Sequence, residues 1–145
     1  MTKYRKILVA VDLSPEAKPV LARARELREF YGADLCLIHV MEPLVTTSDY
    51  ELSPDLPLEV ERTIEQRAVK HLEALAGDMD ITDALQTVEI GSVKREILNF
   101  AQEHDYDLIV IGTHGRHGVA TLLGSTANSV LHGTTCDVMC VRVGD

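Results

Sequence analysis

The amino-acid sequence predicts an α/β protein: one open five-stranded parallel sheet with helices on both faces. Two observations carry this. Short branched-apolar runs alternate with segments of helical spacing along all 145 residues, the pattern of strand–helix–strand crossover units. Three of those runs, "ILVAV" (7–11), "LCLIHV" (35–40) and "LIVIG" (108–112), are apolar almost without interruption, as parallel strands covered on both sides must be.

The elements follow in order. After the first run comes "SPEAKPVLARARELREFYGA", where Ser14 is expected to cap and Pro15 to take the first turn. Val20, Leu21, Ala24, Leu27 and Phe30 recur on one side until Gly32. The second run leads into "MEPLVTTSDYELSPDLP" (41–57), whose three prolines and polar residues read as a surface excursion. "PLEVERTIEQRAVKHLEALAG" then reads as a helix and "LQTVEIG" (85–91) as a weaker strand. "SVKREILNFAQEHD", opened by Ser92, reads as the third helix, and "STANSVLH", stopped by Gly133, as the fourth. "VMCVRV" (138–143) supplies the last strand. With no repeat, low-complexity tract or internal linker, residues 1–145 are expected to form a single domain.

Composition narrows the function. The chain is 46% hydrophobic and 26% charged, ordinary for a globular domain. A formal net charge of −9 repels nucleic-acid phosphates and anionic lipid head groups, so neither nucleic acid nor membrane is an expected partner. The leading "MTKYRKILVAVDLSPE" loses its apolar character at Asp12, too early for a secretory signal, and no segment reaches membrane-spanning length; a cytoplasmic location is expected. Cys36, Cys136 and Cys140 form neither an even disulfide set nor a zinc-ligand spacing, and read as core residues.

The segment "DLIVIGTHGRHGVATLLGSTANSVLHG" (107–133) holds the most chemistry. Gly112, Gly115, Gly118 and Gly124 admit a ligand close to the main chain. Ser125 and Thr126 stand where a helix begins and its free N–H groups favour an anion. The segment reads either as a phosphate cradle or as a plain connector with a serine cap. Asp12, in the "VDLS" that follows the first strand, would share a cleft with this loop if their two strands are neighbours where the winding reverses. Alternatively, Asp12 caps the next helix together with Ser14.

Several chemistries lack their signatures. The sequence has no G-x4-G-K-[ST] and no dinucleotide fingerprint after the first strand. Neither a general base nor an arginine finger is evident, so no catalytic residue is assigned and binding outranks turnover. His114 and His117 share their loop with no carboxylate or cysteine, so no metal-ligating side chain is assigned; His114 near a phosphate is the preferred reading. His39 reads as a strand residue near the core, and His71, His104 and His132 as exposed or helix-end groups.

"KILVAVDLSPEA", "LIHV", "YDLIVIGTHGR" and "LLGSTANSVL", in this order and across nearly the whole chain, resemble the universal stress protein (UspA) family. The resemblance implies a Rossmann-like fold of the adenine nucleotide alpha hydrolase type and, in many members, ATP binding through a G-x2-G-x9-G-[ST] motif. Gly112 and Gly115 match its first half and Gly124 with Ser125 its second, although eight residues rather than nine separate Gly115 from Gly124.

On that resemblance Asp12 holds the ribose or adenine edge with Ala10 and Val11 beside it, and Val40 and Ile111 wall the base. Gly112, His114, Gly115, Gly124, Ser125 and Thr126 surround the phosphates. A Mg2+ or Mn2+ ion is held mainly through phosphate oxygens and water. The resemblance also implies a homodimer joined through the C-terminal strand, residues 137–143, and a role as a stress-response regulator with an unknown protein partner. Within the family the alternatives are a nucleotide-free protein controlled by Ser/Thr phosphorylation, and slow ATP hydrolysis or self-phosphorylation.

Overall fold

The computed structural model describes residues 3–43, 55–113 and 125–143, the side chains of 55–58 and 125 excepted. The elements are β1 (Lys6–Ala10), α1 (Ala17–Tyr31), β2 (Asp34–Met41), α2 (Asp55–Asp78), β3 (Leu85–Ile90), α3 (Val93–Glu103), β4 (Leu108–Gly112), α4 (Ser125–Gly133) and β5 (Asp137–Val141). All five strands are parallel, in the order β3-β2-β1-β4-β5. The three runs of unbroken apolarity are thus the three interior strands, and the two weaker signals are the edges.

Pleat alternation divides the core in two. One set of alternate residues of the interior strands, Ile7, Val9, Leu35, Leu37, Leu108 and Val110, packs under α1 and α2. The other set, Leu8, Cys36, Ile38, Ile109 and Ile111, packs under α3 and α4. Each fully buried Leu or Ile contributes about 1.5–3 kcal/mol by leaving water, so both layers are strongly held.

Some local expectations are corrected. Phe30 does not join the buried side of α1: it is 81% exposed, while Val20, Leu21 and Ala24 are buried. At roughly 100° per residue, Phe30 lies about 120° round the helix from the buried Ala24, whereas Tyr31, nearly in line with Ala24, still packs against the core. Ser14 does not cap α1, which has Glu16 at its N-cap and no side-chain cap bond. Ser14 instead accepts from the N–H of Ala17 through its carbonyl, closing a turn that holds Pro15 ahead of the helix. Ser92 does precede α3 as its N-cap, again without a side-chain bond, and Gly133 is the last residue of α4 instead of the residue beyond it.

Helix endings share one device. Gly32, with φ of 62°, follows α1 and lets Ala33 donate back to the Arg28 carbonyl at 3.1 Å. Asp80 and Asp105 take the same left-handed conformation, both at φ 59°, after α2 and α3. There Ile81 donates to Ala76 and Tyr106 to Ala101, each at 2.9 Å. This left-handed closure satisfies carbonyls that the helix leaves open.

Candidate functional site

Winding proceeds outward from β1 to β2 to β3, then returns to the other side of β1 for β4 and β5. The reversal lies between β1 and β4, and the crevice beyond the carboxyl ends of such a pair is where open α/β sheets bind ligands. Val9 pairs with Val110 across the two strands. Continuing that register sets Ala10 level with Ile111 and Val11 with Gly112.

On the other side of β1, Ala10 pairs with Ile38, which puts Val40 at the neighbouring carboxyl end. Ala10, Val11, Asp12, Val40, Ile111 and Gly112 therefore gather at the ends of three adjacent strands. Val40 and Ile111 are buried in the α3/α4 layer, with Ala10 against them. Ser125 begins α4, and Thr126, half-buried, lies in its first turn. His114, Gly115 and Gly124 lie outside the described residues.

The turn after β1 is closely specified. Val11 extends the ladder beyond the strand, its N–H donating to the Ile38 carbonyl at 2.9 Å. Asp12, half-buried, accepts at Oδ1 from both the Ser14 N–H at 3.0 Å and the Ser14 hydroxyl at 2.7 Å. Leu13 between them holds φ at 64°, a left-handed conformation costing a non-glycine residue about 1 kcal/mol or more. Its side chain packs onto the α1/α2 core.

Asp12 is thus no helix cap, since α1 starts five residues later and the aspartate closes its own turn. Bonds to charged acceptors are the stronger kind, and these two fix the direction of the carboxylate. Glu16, at the start of α1, has its Oε2 buried with no hydrogen-bond partner among the described residues.

Two residues bind this region to the sheet in ways the sequence did not signal. His39, read as a strand residue near the core, is 8% exposed, and its Nδ1 lies 2.6 Å from the Val11 carbonyl. Thr113, just beyond β4, is buried; its N–H donates to the Val141 carbonyl at 3.0 Å, and its hydroxyl oxygen accepts from the Val143 N–H at 3.2 Å. A polar side chain inside an apolar strand was the available clue, because buried polar groups carry partners.

The cysteines are free; burial raises the Cys36 and Cys140 thiols, which makes them poor nucleophiles. Among the described residues no three His, Cys, Asp or Glu side chains group as metal ligands. No described helix is long and apolar enough to cross a membrane.

Comparison with known proteins agrees with this arrangement. Residues 3–142 match the model of the universal stress protein family. Universal stress protein A homolog 2 of Coxiella burnetii is 40% identical over 146 aligned residues, covering 99% of this chain and 98% of the relative. Homolog 1 of the same organism is also 40% identical, covering 95% and 96%.

Among solved structures, hypothetical protein MJ0577 superposes with a TM-score of 0.84 at 20% identity, over 99% of both chains. A universal stress protein in complex with cAMP scores 0.64 at 21% identity, covering 97% and 98%. The universal stress protein of Archaeoglobus fulgidus in complex with dAMP scores 0.64 at 23% identity, covering 99% and 100%. The structural likenesses give the fold, and the sequence match along almost the full chain gives the lineage: this protein belongs to the universal stress protein family.

Proposed function

We propose that the chain binds ATP across the carboxyl ends of β1 and β4 and acts as a cytosolic, dimeric regulator in the stress response. The observation that carries this is the adjacency of Asp12 and Gly112, one at the end of each strand flanking the reversal. Support comes from the two family structures that hold adenine nucleotides, cAMP and dAMP.

The donor set suits such a ligand. Ser14 occupies Oδ1 of Asp12, and Oδ2, with no bond among the described residues, can accept from a ribose hydroxyl or an exocyclic amine. Ala10 is small beside the base, and Val40 and Ile111 present apolar walls. Free N–H groups at the start of α4, with Ser125 and Thr126, suit phosphate, as do Gly112, Gly115, Gly124 and His114. Bound ATP would bring its own Mg2+ or Mn2+, held mainly by phosphate oxygens and water.

Dimerisation through β5 is part of the same reading. Because the Val141 carbonyl accepts from Thr113 on the β4 side, strand alternation turns the main-chain groups of Val138 and Cys140 toward the open edge. A second β5, antiparallel across a two-fold, satisfies them and removes a bare edge.

Radiolabelled ATP tests the proposal. The purified protein should retain label without releasing phosphate, and Gly115→Val should lose it while circular dichroism stays unchanged. Label attached covalently to protein supports self-phosphorylation instead. Equal retention by the wild type and Gly115→Val overturns the site.

A further inference from the structure

We infer that His39 is the positioning residue of the β1–α1 turn, locking the Val11–Asp12 peptide in the orientation that aims the Asp12 carboxylate. This deepens the proposed nucleotide site and rests on it for its ligand, although the locking itself is read from the turn's own hydrogen bonds. The Val11 carbonyl can only accept, so the His39 Nδ1 at 2.6 Å must carry the proton. That makes the imidazole the Nδ1–H tautomer or the cation, and in either form a donor to this oxygen.

The donation comes at a critical place. Val11 is the last residue held by the ladder, through its N–H to Ile38. Its carbonyl belongs to the peptide that leads into Asp12, and the next residue, Leu13, is in the left-handed region. A turn that contains an unfavourable backbone angle persists only where its surroundings over-determine it. Here the determinants are the Ile38 bond before it, the Ser14 bonds after it and the His39 bond at the pivot. His39 is buried in β2, a central strand, so the anchor is rigid.

Substitution separates the two ring nitrogens. In His39→Asn the amide nitrogen stands close to the place of Nδ1 and can still donate to Val11; in His39→Gln the amide nitrogen stands nearer the place of Nε2. ATP affinity by calorimetry should fall about tenfold in His39→Gln, the cost of one unpaired buried carbonyl, and stay within about threefold of wild type in His39→Asn. Both variants should keep the wild-type far-ultraviolet dichroism. Equal affinities in the two variants, or a loss confined to His39→Asn, overturn the inference.

A wild type that takes up no ATP removes the proposed function alone. The inference is then decided by amide exchange at Ser14, expected about tenfold faster in His39→Gln than in His39→Asn, with equal rates overturning it. Nitrogen-15 spectra of the wild-type imidazole should show protonated Nδ1; a neutral ring protonated only at Nε2 is incompatible with it.

Discussion

Ser14 is bound twice to a single oxygen of Asp12, through its N–H at 3.0 Å and its hydroxyl at 2.7 Å. A serine expected to begin a helix instead disciplines an acid. In Ser14→Ala the N–H bond survives and the hydroxyl bond is lost, so stability should fall by about 1 kcal/mol, read from urea denaturation. If Asp12 contacts nucleotide, ATP affinity should fall in parallel, and Ser14→Thr should restore both.

Thr113 ties the end of β4 to the segment that follows β5. Thr113→Val keeps the shape but removes the acceptor for the Val143 N–H. Leaving a buried donor unpaired costs about 1–3 kcal/mol. Denaturation should report that loss, and hydrogen exchange should quicken at Val143 more than at β1.

Asp80 and Asp105 are exposed, take positive φ and carry negative charge at helix C-termini, where the dipole disfavours it. Gly32 solves the same problem after α1 without either penalty. Asp80→Gly and Asp105→Gly should each stabilise the fold by about 0.5–1 kcal/mol, seen as a rise in Tm of a few degrees.

Tyr4 donates to the Asp137 carboxylate at 2.6 Å, a surface bond between the starts of β1 and β5. That hydrogen bond, helped by desolvation, raises the phenol to about 12. Because the folded value exceeds the unfolded value near 10, the associated stability is full below pH 10 and is lost as pH rises to about 12. Solvent screening limits it to less than about 1 kcal/mol. Absorbance titration should show this tyrosine ionising earlier in Asp137→Asn. Tyr106, raised mainly by burial, should remain protonated beyond Tyr4.

The architecture was legible because one physical rule wrote it in plain letters: interior parallel strands have two buried faces, and 7–11, 35–40 and 108–112 have no polar face to offer. The alternation of elements gave the layers. The neighbouring of β1 and β4 was stated only as a condition, since strand order depends on how helices pack across the sheet. Asp12 was legible as a residue at a strand end, but its geometry was not.

Whether a hydroxyl two residues away caps a helix or grips a carboxylate depends on a backbone angle at Leu13 that no propensity favours. His39 was placed correctly near the core. Its bond to Val11 joins strands 28 positions apart in the chain, a relationship local sequence does not encode. Phe30 fitted a loosely drawn helical stripe by spacing but points away from it in space, because the buried line of α1 runs through Ala24 to Tyr31 and Phe30 sits about a third of a turn off that line.

The two-faced partition of the sheet also sets where this chain can tolerate a change in length. Removing one residue within β1 would turn Ile7 and Val9 toward the wrong helical layer and demand repacking of both cores. Between Gly115 and Gly124 the interval is one residue shorter than the family motif. Insertions and deletions should therefore accumulate in the connectors at the carboxyl end of the strands, letting ligand preference drift while the scaffold stays in frame.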